Sequence, residues 1–475
     1  MTAAMSRAGS DYASLRALAD QAFSRAAGAP LVGGNRLRVL RDAAENYPAW
    51  DRAIEDAKHT IHVEMYIIHR DAVGRRFIAM LADRASAGVK VRLIYDWFGC
   101  GLGPLFGLFT PLLRAGGEVR VFNPPRLSAA LSWTRRDHRK LITVDGRMGY
   151  IGGLCVGQAW VGRPDKGLEP WRDTGIEVIG PAVAYLERSF ASMWELAGGE
   201  APVIPHDIPH DTAPAAGDVH LRVIPTEPFS AALLRTDLLV TTLARRTLWI
   251  ADAYFIGHGP FVRALEHAAQ DGVDVRLLLP QGSDVSWTVP LSRSLYRVLL
   301  DAGVRIFEWN GTMMHAKTAV ADGRWSRIGS TNLNLNSWVG NWELDAAIED
   351  EGIARIMEEQ YERDLDYATE IVAGGPHRSI GPRATRERAR RSARRALRAI
   401  TGLGHSLSAA VMGSRELEQW EVAPLFTAGL LVAAIAALAF FFPRAIALPI
   451  AVLAGWGGLS LIVESFGLWR ERKRP

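Results

Sequence analysis

The segments DHRKLITVDGRMGYIGGLC, Asp137–Cys155, and MHAKTAVADGRWSRIGSTN, Met314–Asn332, are two copies of one pattern. His138, Lys140, Asp145, Gly152 and Cys155 in the first copy stand 177 positions before His315, Lys317, Asp322, Gly329 and Asn332 in the second. A lone His-x-Lys is weak evidence, because an isolated histidine is more often structural than reactive. Two copies of a multi-point pattern at constant spacing mark a duplicated functional unit.

The flanking sequence repeats as well. Upstream of the first copy, Thr60–Ile68 reads as a buried strand, Arg75–Ala87 as a helix and Val89–Asp96 as a second strand. Upstream of the second copy, Thr247–Ile256, Phe261–Gln270 and Val273–Pro280 have the same order, with Tyr66 and Tyr254 in matching places. Each copy closes with an amphipathic helix, Ala182–Leu196 and Ile353–Ile371. Apolar strands alternating with amphipathic helices predict α/β domains with a mostly parallel sheet.

The expected division is a tail over 1–30, a first domain over 31–197, a linker over 198–217 and a second domain over 218–372. The linker holds Pro202, Pro205, Pro209 and Pro214, a composition that suits a connector. An Arg-rich connector, 373–422, and an apolar hairpin, 423–469, complete the chain.

Over 475 residues, an apolar content of 48% and a charged content of 22% indicate a globular protein. Two cysteines, Cys100 and Cys155, exclude a disulfide framework or a cysteine-based zinc site and fit a reducing cytoplasm. The first 29 residues contain no apolar stretch of signal-peptide length, so no cleaved leader is expected. Nine arginines and one acid between Arg378 and Arg398 contribute +8 to a total of +4, so the remainder sums to −4. The basicity is confined to one segment, which argues against a nucleic-acid partner.

The two motifs resemble those of the phospholipase D superfamily. The wider text is similar to the bacterial cardiolipin synthase type at GNRLRVL from Gly34, HVEMYII from His62, WRDTGIEVIGPAV from Trp171 and NWELDAAIED from Asn341. The resemblance spans Leu31 to Val372. It implies two similar α/β domains facing each other across a pseudo-two-fold axis. It also implies a phosphohistidine intermediate, with no metal and no cofactor.

A phosphodiester is an anion with a poor alkoxide leaving group, and covalent catalysis splits its transfer into two easier displacements. One imidazole must be neutral to attack, and the other must carry a proton to the departing oxygen. The resemblance points to His138 as nucleophile and His315 as acid. Lys140 and Lys317, two residues on along each strand, would meet the phosphate oxygens. Asn332 would donate to the same oxygens. Asp145 and Asp322 complete the catalytic motifs but are expected to brace loops. The resemblance further implies that Glu343 holds the second nitrogen of His315, with Asp173 the counterpart for His138. Cys155 departs from the family, which has asparagine there; a thiol is a weaker donor, so one contact is lost. Glu64 and Tyr66 could line the pocket. Arg135, Arg136 and Arg139 could bind a second phosphate.

Substrate expectations come from the C-terminal part. Residues 423–442 carry no charge and 445–468 carry only Glu464. Each run is long enough to cross a bilayer core of about 30 Å as a helix. Arginines before the first run, and Arg470, Arg472, Lys473 and Arg474 after the second, predict both flanks and the catalytic domains on the cytoplasmic side of a bacterial-type membrane. The expected partners are phospholipids such as phosphatidylglycerol and an anionic membrane surface. The expected reaction is phosphatidyl transfer. Hydrolysis, by a phospholipase D or a nuclease, and a non-catalytic membrane scaffold are the alternatives that the residues leave open.

Overall fold

The computed structural model describes residues 18–124, 135–200 and 214–372, together with Trp456. The first repeat contributes seven strands. They are β1 (Val32–Arg41), β2 (Thr60–Met65), β3 (Lys90–Asp96), β4 (Glu118–Phe122), β5 (Lys140–Val144), β6 (Met148–Gly152) and β7 (Thr174–Ile179). The second contributes β8 (Val219–Thr226), β9 (Thr247–Ala251), β10 (Asp274–Pro280) and β11 (Arg305–Trp309). It continues with β12 (Thr318–Ala321), β13 (Trp325–Gly329), β14 (Glu343–Glu349) and β15 (Ala368–Ile371).

All fifteen form one sheet, in the order β15-β11-β10-β9-β12-β13-β14-β8-β1-β7-β6-β5-β2-β3-β4. Read outward from the β8–β1 junction, the first seven strands of the two halves have the same order, as an internal two-fold requires, and β15 extends the second half by one strand. Parallel pairing is restricted to β2–β3–β4 and β9–β10–β11. The other pairings among these strands are antiparallel, which corrects the expectation of a mostly parallel sheet. The cause is visible at the motif turns. Asp145-Gly146 and Asp322-Gly323 adopt positive φ (52° and 62°, 53° and 67°) and fold each motif strand back as a hairpin.

β1 joins the halves. Arg36 to Arg41 pair with β7, whereas Val32 and Asn35 pair with β8. Ile151, Ile176 and Val178 of the first repeat share one apolar core with Ile328, Leu344, Ala346 and Ile348 of the second, so the halves pack face to face. A second core, including Ile54, Ile61, Val63 and Leu81, lies within the first repeat. Both repeats belong to one compact unit.

The helices follow the expected positions, at Ala72–Ser86, Val183–Leu196 and Gly259–Gln270. Two expectations change. Residues 18–27, read as tail, form a helix whose Asp20 pairs with Arg222. The closing helix is Glu351–Leu365, not a run to Ile371, because Ala368–Ile371 pairs antiparallel with the otherwise open edge of β11. Residues 201–213 of the linker, the Arg-rich connector and the apolar hairpin lie outside the described residues, Trp456 excepted. Among the described residues no helix is long and apolar enough to cross a membrane.

Candidate active site

Each motif enters the sheet at the carboxyl end of a parallel strand. Lys140 faces Met65 at the end of β2, and Thr318 faces Ala251 at the end of β9, so His138 and His315 stand just beyond those ends. The backbone then crosses between repeats. The His138 N–H donates to the Trp342 carbonyl at 2.9 Å, and the Trp342 N–H donates to the Arg136 carbonyl at 2.9 Å. Likewise the His315 N–H donates to the Arg172 carbonyl at 2.7 Å, and the Arg172 N–H to the Met313 carbonyl at 2.9 Å.

This crossing decides the carboxylate partners. His138 Nδ1 lies 2.8 Å from Glu343 Oε2, and His315 Nδ1 lies 2.7 Å from Asp173 Oδ2. The expected assignment, Glu343 with His315 and Asp173 with His138, is therefore reversed. That expectation kept each pair within one repeat, but each histidine segment lies against the loop of the other. A proton on Nδ1 directed at the carboxylate leaves Nε2 for the substrate.

The supports of the two carboxylates differ. Glu343 accepts from Ser330 Oγ at 2.6 Å and Asn341 Nδ2 at 3.3 Å. Asp173 accepts from the Trp160 indole at 3.0 Å. A Cβ added to Gly153, which matches Ser330 in the repeat, would sit 2.1 Å from Asp173 Oδ1. Trp160 and Trp171 also lie against the His315 ring, with centroids 5.5 and 5.4 Å away. Ser330, Asn341 and Trp160 were not expected in these roles. The offset of 177 could have drawn attention to Gly153 against Ser330 and Trp160 against Ser337.

Burial and charge make the histidines unequal. Burial, then Lys140, Lys317 and His315, holds His138 well below the usual imidazole range. Burial and Lys317 also lower His315, but there Asp173 works in the opposite direction. Burial opposes the Asp173 charge, yet His315 and Lys317 outweigh it and keep this carboxyl low. Burial pushes Glu343 up to about 7 and Lys317 down to about 8. Each histidine thus feels charges from both repeats, which makes the four motif side chains one cluster.

Lys140 and Lys317 are buried, and their ammonium groups donate to the carbonyls of His138 and His315. Tyr66 and Tyr254 sit beneath them, with Nζ 5.1 and 5.7 Å from the ring centroids. The Tyr66 ring also meets His138 edge-on at 4.8 Å, so it belongs to the pocket. Asn332 is buried, and its Oδ1 has no hydrogen-bond partner.

The motif aspartates do not join this cluster, which corrects their inclusion among the catalytic residues. Asp145 accepts the N–H groups of Lys58, His59 and Thr60 at 2.8, 2.7 and 2.8 Å, at the amino end of β2. Asp322 accepts those of Arg245, Arg246 and Thr247 at 2.9, 2.7 and 3.0 Å. Six residues of strand span about 17 Å, so both act at the opposite end of the sheet from the histidines.

Cys155 is buried, its carbonyl accepts from the Tyr47 hydroxyl at 2.7 Å, and burial pushes its thiol up. A buried, protonated thiol is a poor nucleophile. Cys100 and Cys155 are both unpaired. Arg136 pairs with Asp96 at 3.2 Å, and Arg139 lies 3.9 Å from Glu64. Glu64 is fully buried and, by that burial and the nearby Asp137, is held well above the usual carboxyl range. Among the described residues no group of three or more His, Cys, Asp or Glu side chains is placed to hold a metal ion.

The family described as cardiolipin synthase, PLD-like domain, matches residues 51–194 and 240–365, one stretch in each repeat. Cardiolipin synthase of Alkalihalophilus pseudofirmus is 32% identical over 348 residues, covering 72% of this chain and 68% of that protein. Cardiolipin synthase A of Pseudomonas syringae pv. syringae is 34% identical over 378 residues, covering 77% and 75%. Among solved structures, phosphatidylserine synthase of Haemophilus influenzae matches with a TM-score of 0.57 at 14% identity, over 74% of this chain and 92% of its own. That last likeness is one of fold. With both motifs and the paired α/β repeats in place, the chain belongs to the cardiolipin synthase family of phospholipase D-like enzymes.

Proposed function

We propose that the chain transfers a phosphatidyl group between two phospholipids and, with phosphatidylglycerol as both donor and acceptor, forms cardiolipin and glycerol. The observation that carries the assignment of roles is the unequal, crossed pairing of His138 with Glu343 and His315 with Asp173. His138, neutral through burial and lysine charge, attacks phosphorus through Nε2. The bond from phosphorus to the glycerol oxygen breaks, and His315 gives that oxygen its proton. The donor's phosphatidyl group is then held on His138. His315 next takes the proton from a glycerol hydroxyl of the second lipid, whose oxygen attacks phosphorus and frees His138.

Burial and lysine charge press both imidazoles low. The phosphodiester anion offsets the charges of Lys140 and Lys317, and the ionised Asp173 favours the incoming proton on His315. The two ammonium groups then face the charge that develops on the five-coordinate phosphorus.

The chain works, on this reading, at the cytoplasmic face of a bacterial-type membrane, with residues 423–469 as anchor and the Arg378–Arg398 run on anionic headgroups. The bodies that carry this chemistry are residues 31–197 and 218–372. Incubating the purified full chain with labelled phosphatidylglycerol tests the reaction. Cardiolipin and free glycerol are expected, and phosphatidic acid alone would assign hydrolysis instead. His138→Ala and His315→Ala each abolish turnover, and near-normal cardiolipin formation by either variant refutes a shared site.

A further inference from the structure

The strand ends that carry the histidines also carry an exposed apolar rim. In the first repeat it is the segment WFGCGLGPLFGLF, Trp97–Phe109, which leaves the carboxyl end of β3. Its inner side is fixed beside the site: Cys100 Sγ accepts from the Ile68 N–H at 3.3 Å, and a Cβ on Gly99 would sit 2.1 Å from the Tyr66 carbonyl. Cys100, Leu108 and Phe109 are buried, whereas Phe98, Leu105 and Phe106 project outward, Leu105 being 80% exposed.

The second repeat matches this placement. The loop after β10 is tied to the site because Tyr254 donates to Asp284 Oδ1 at 2.7 Å, and three residues on Trp287 is exposed. Phe229, beyond the end of β8, is 75% exposed and held at a φ of 67°, where a bulky residue is strained. Among the described residues of the two repeats, five aromatic side chains are exposed. The fifth, Tyr367, lies just before β15, where its backbone carbonyl accepts from the Asn310 N–H at the end of β11. All five therefore stand at the end of the sheet that carries the catalytic cluster.

Two of the exposed phenyl rings are covered by exposed arginines: Arg70 lies 5.6 Å from the Phe106 centroid and Arg135 lies 4.9 Å from that of Phe229. Phe98, Leu105 and Phe106 are exposed together on one short segment beside the site, and apolar side chains so gathered mark an interaction surface. Aromatic side chains with basic groups beside them suit the headgroup layer of an anionic bilayer, where the ring enters and the guanidinium stays with phosphate.

Resting on the reading above, we propose that this rim is an insertion surface that seats the mouth of the active site in an anionic phospholipid bilayer, independently of the C-terminal hairpin. Seated so, a lipid raises its phosphodiester to His138 while its acyl chains remain in the bilayer.

Insertion and turnover are tested separately. Cys100 and Cys155 are buried, so a fluorophore on Phe106→Cys of the full chain reports the rim, and one on Leu243→Cys reports the opposite end of the sheet. With equimolar phosphatidylglycerol–phosphatidylethanolamine vesicles carrying acyl-chain nitroxide, the Phe106→Cys label is quenched and the Leu243→Cys label is not. Equal quenching at both sites, or none at the rim, overturns the proposal whatever the reaction proves to be. In a Leu105→Glu/Phe106→Glu variant, turnover on these vesicles falls by roughly tenfold or more, while turnover of monomeric short-chain phosphatidylglycerol stays within about twofold. Unchanged vesicle turnover, or equal loss on both substrates, also overturns it.

Discussion

Nδ1 of His138 lies 2.8 Å from Oε2 of Glu343, a carboxylate supplied by the other repeat. The reciprocal pair, His315 with Asp173, makes each half-site depend on both halves of the chain. Neither repeat alone holds an oriented histidine.

The two carboxylates should differ in weight. Asp173→Asn removes the ionised partner that keeps a proton on His315, and kcat is expected to fall by about 10²–10⁴. Glu343→Gln can retain hydrogen bonds to Ser330 and Asn341, with an expected loss of roughly 10–100-fold. Steady-state turnover of labelled phosphatidylglycerol by the two variants checks the order, and an equal loss contradicts the unequal roles.

Glu343 also couples stability to pH. Its folded value of about 7 stands above the ordinary glutamate value of 4.5, so between these the folded chain binds more protons than the unfolded chain. Stability from this group is present below 4.5 and is lost as pH rises through about 7. Thermal melts should show a Glu343→Gln variant losing less stability than wild type between mildly acid and neutral pH. The difference is expected to be on the order of 2–3 kcal/mol.

Gly153 has no room for a side chain beside Asp173, since an added Cβ would meet Oδ1 at 2.1 Å. Gly153→Ala should displace that carboxylate and lower kcat by about 10²-fold or more. Circular dichroism and kcat measured together separate this from unfolding.

Asp145→Ala and Asp322→Ala should act on stability. Each strips an acceptor from three backbone N–H groups at a turn with positive φ, a loss comparable to that of a helix cap, roughly 1–2 kcal/mol. The folded fraction should keep wild-type kcat, read from melting curves and active-site-normalised rates.

Cys155→Ala should keep turnover within a few-fold, because the thiol is buried and held protonated. Maleimide treatment of the native enzyme should leave activity intact. Rapid inactivation traced to Cys155 would contradict this account.

Much of this was legible in the sequence. The offset of 177 between the motifs located the duplicated unit, and the apolar runs at Thr60 and Thr247 located the strands that carry it. Asp145-Gly146 and Asp322-Gly323 are hairpin-type dipeptides, so the antiparallel part of the sheet also has a local signal in the sequence. Helical periodicity runs on into Ala368–Ile371, a strand too short to show alternation, so the sequence points to helix there.

The sequence by itself determined which side chains can do the chemistry, because residue type and local spacing set what each segment offers: two histidines, two lysines and their strands. Only the tertiary structure decided which carboxylate serves which histidine, and that the motif aspartates brace turns at the far end of β2 and β9. Those choices depend on how two halves of one sheet fold across β1 and bring loops more than a hundred residues apart into contact. Distance along the chain carries no information about that closure.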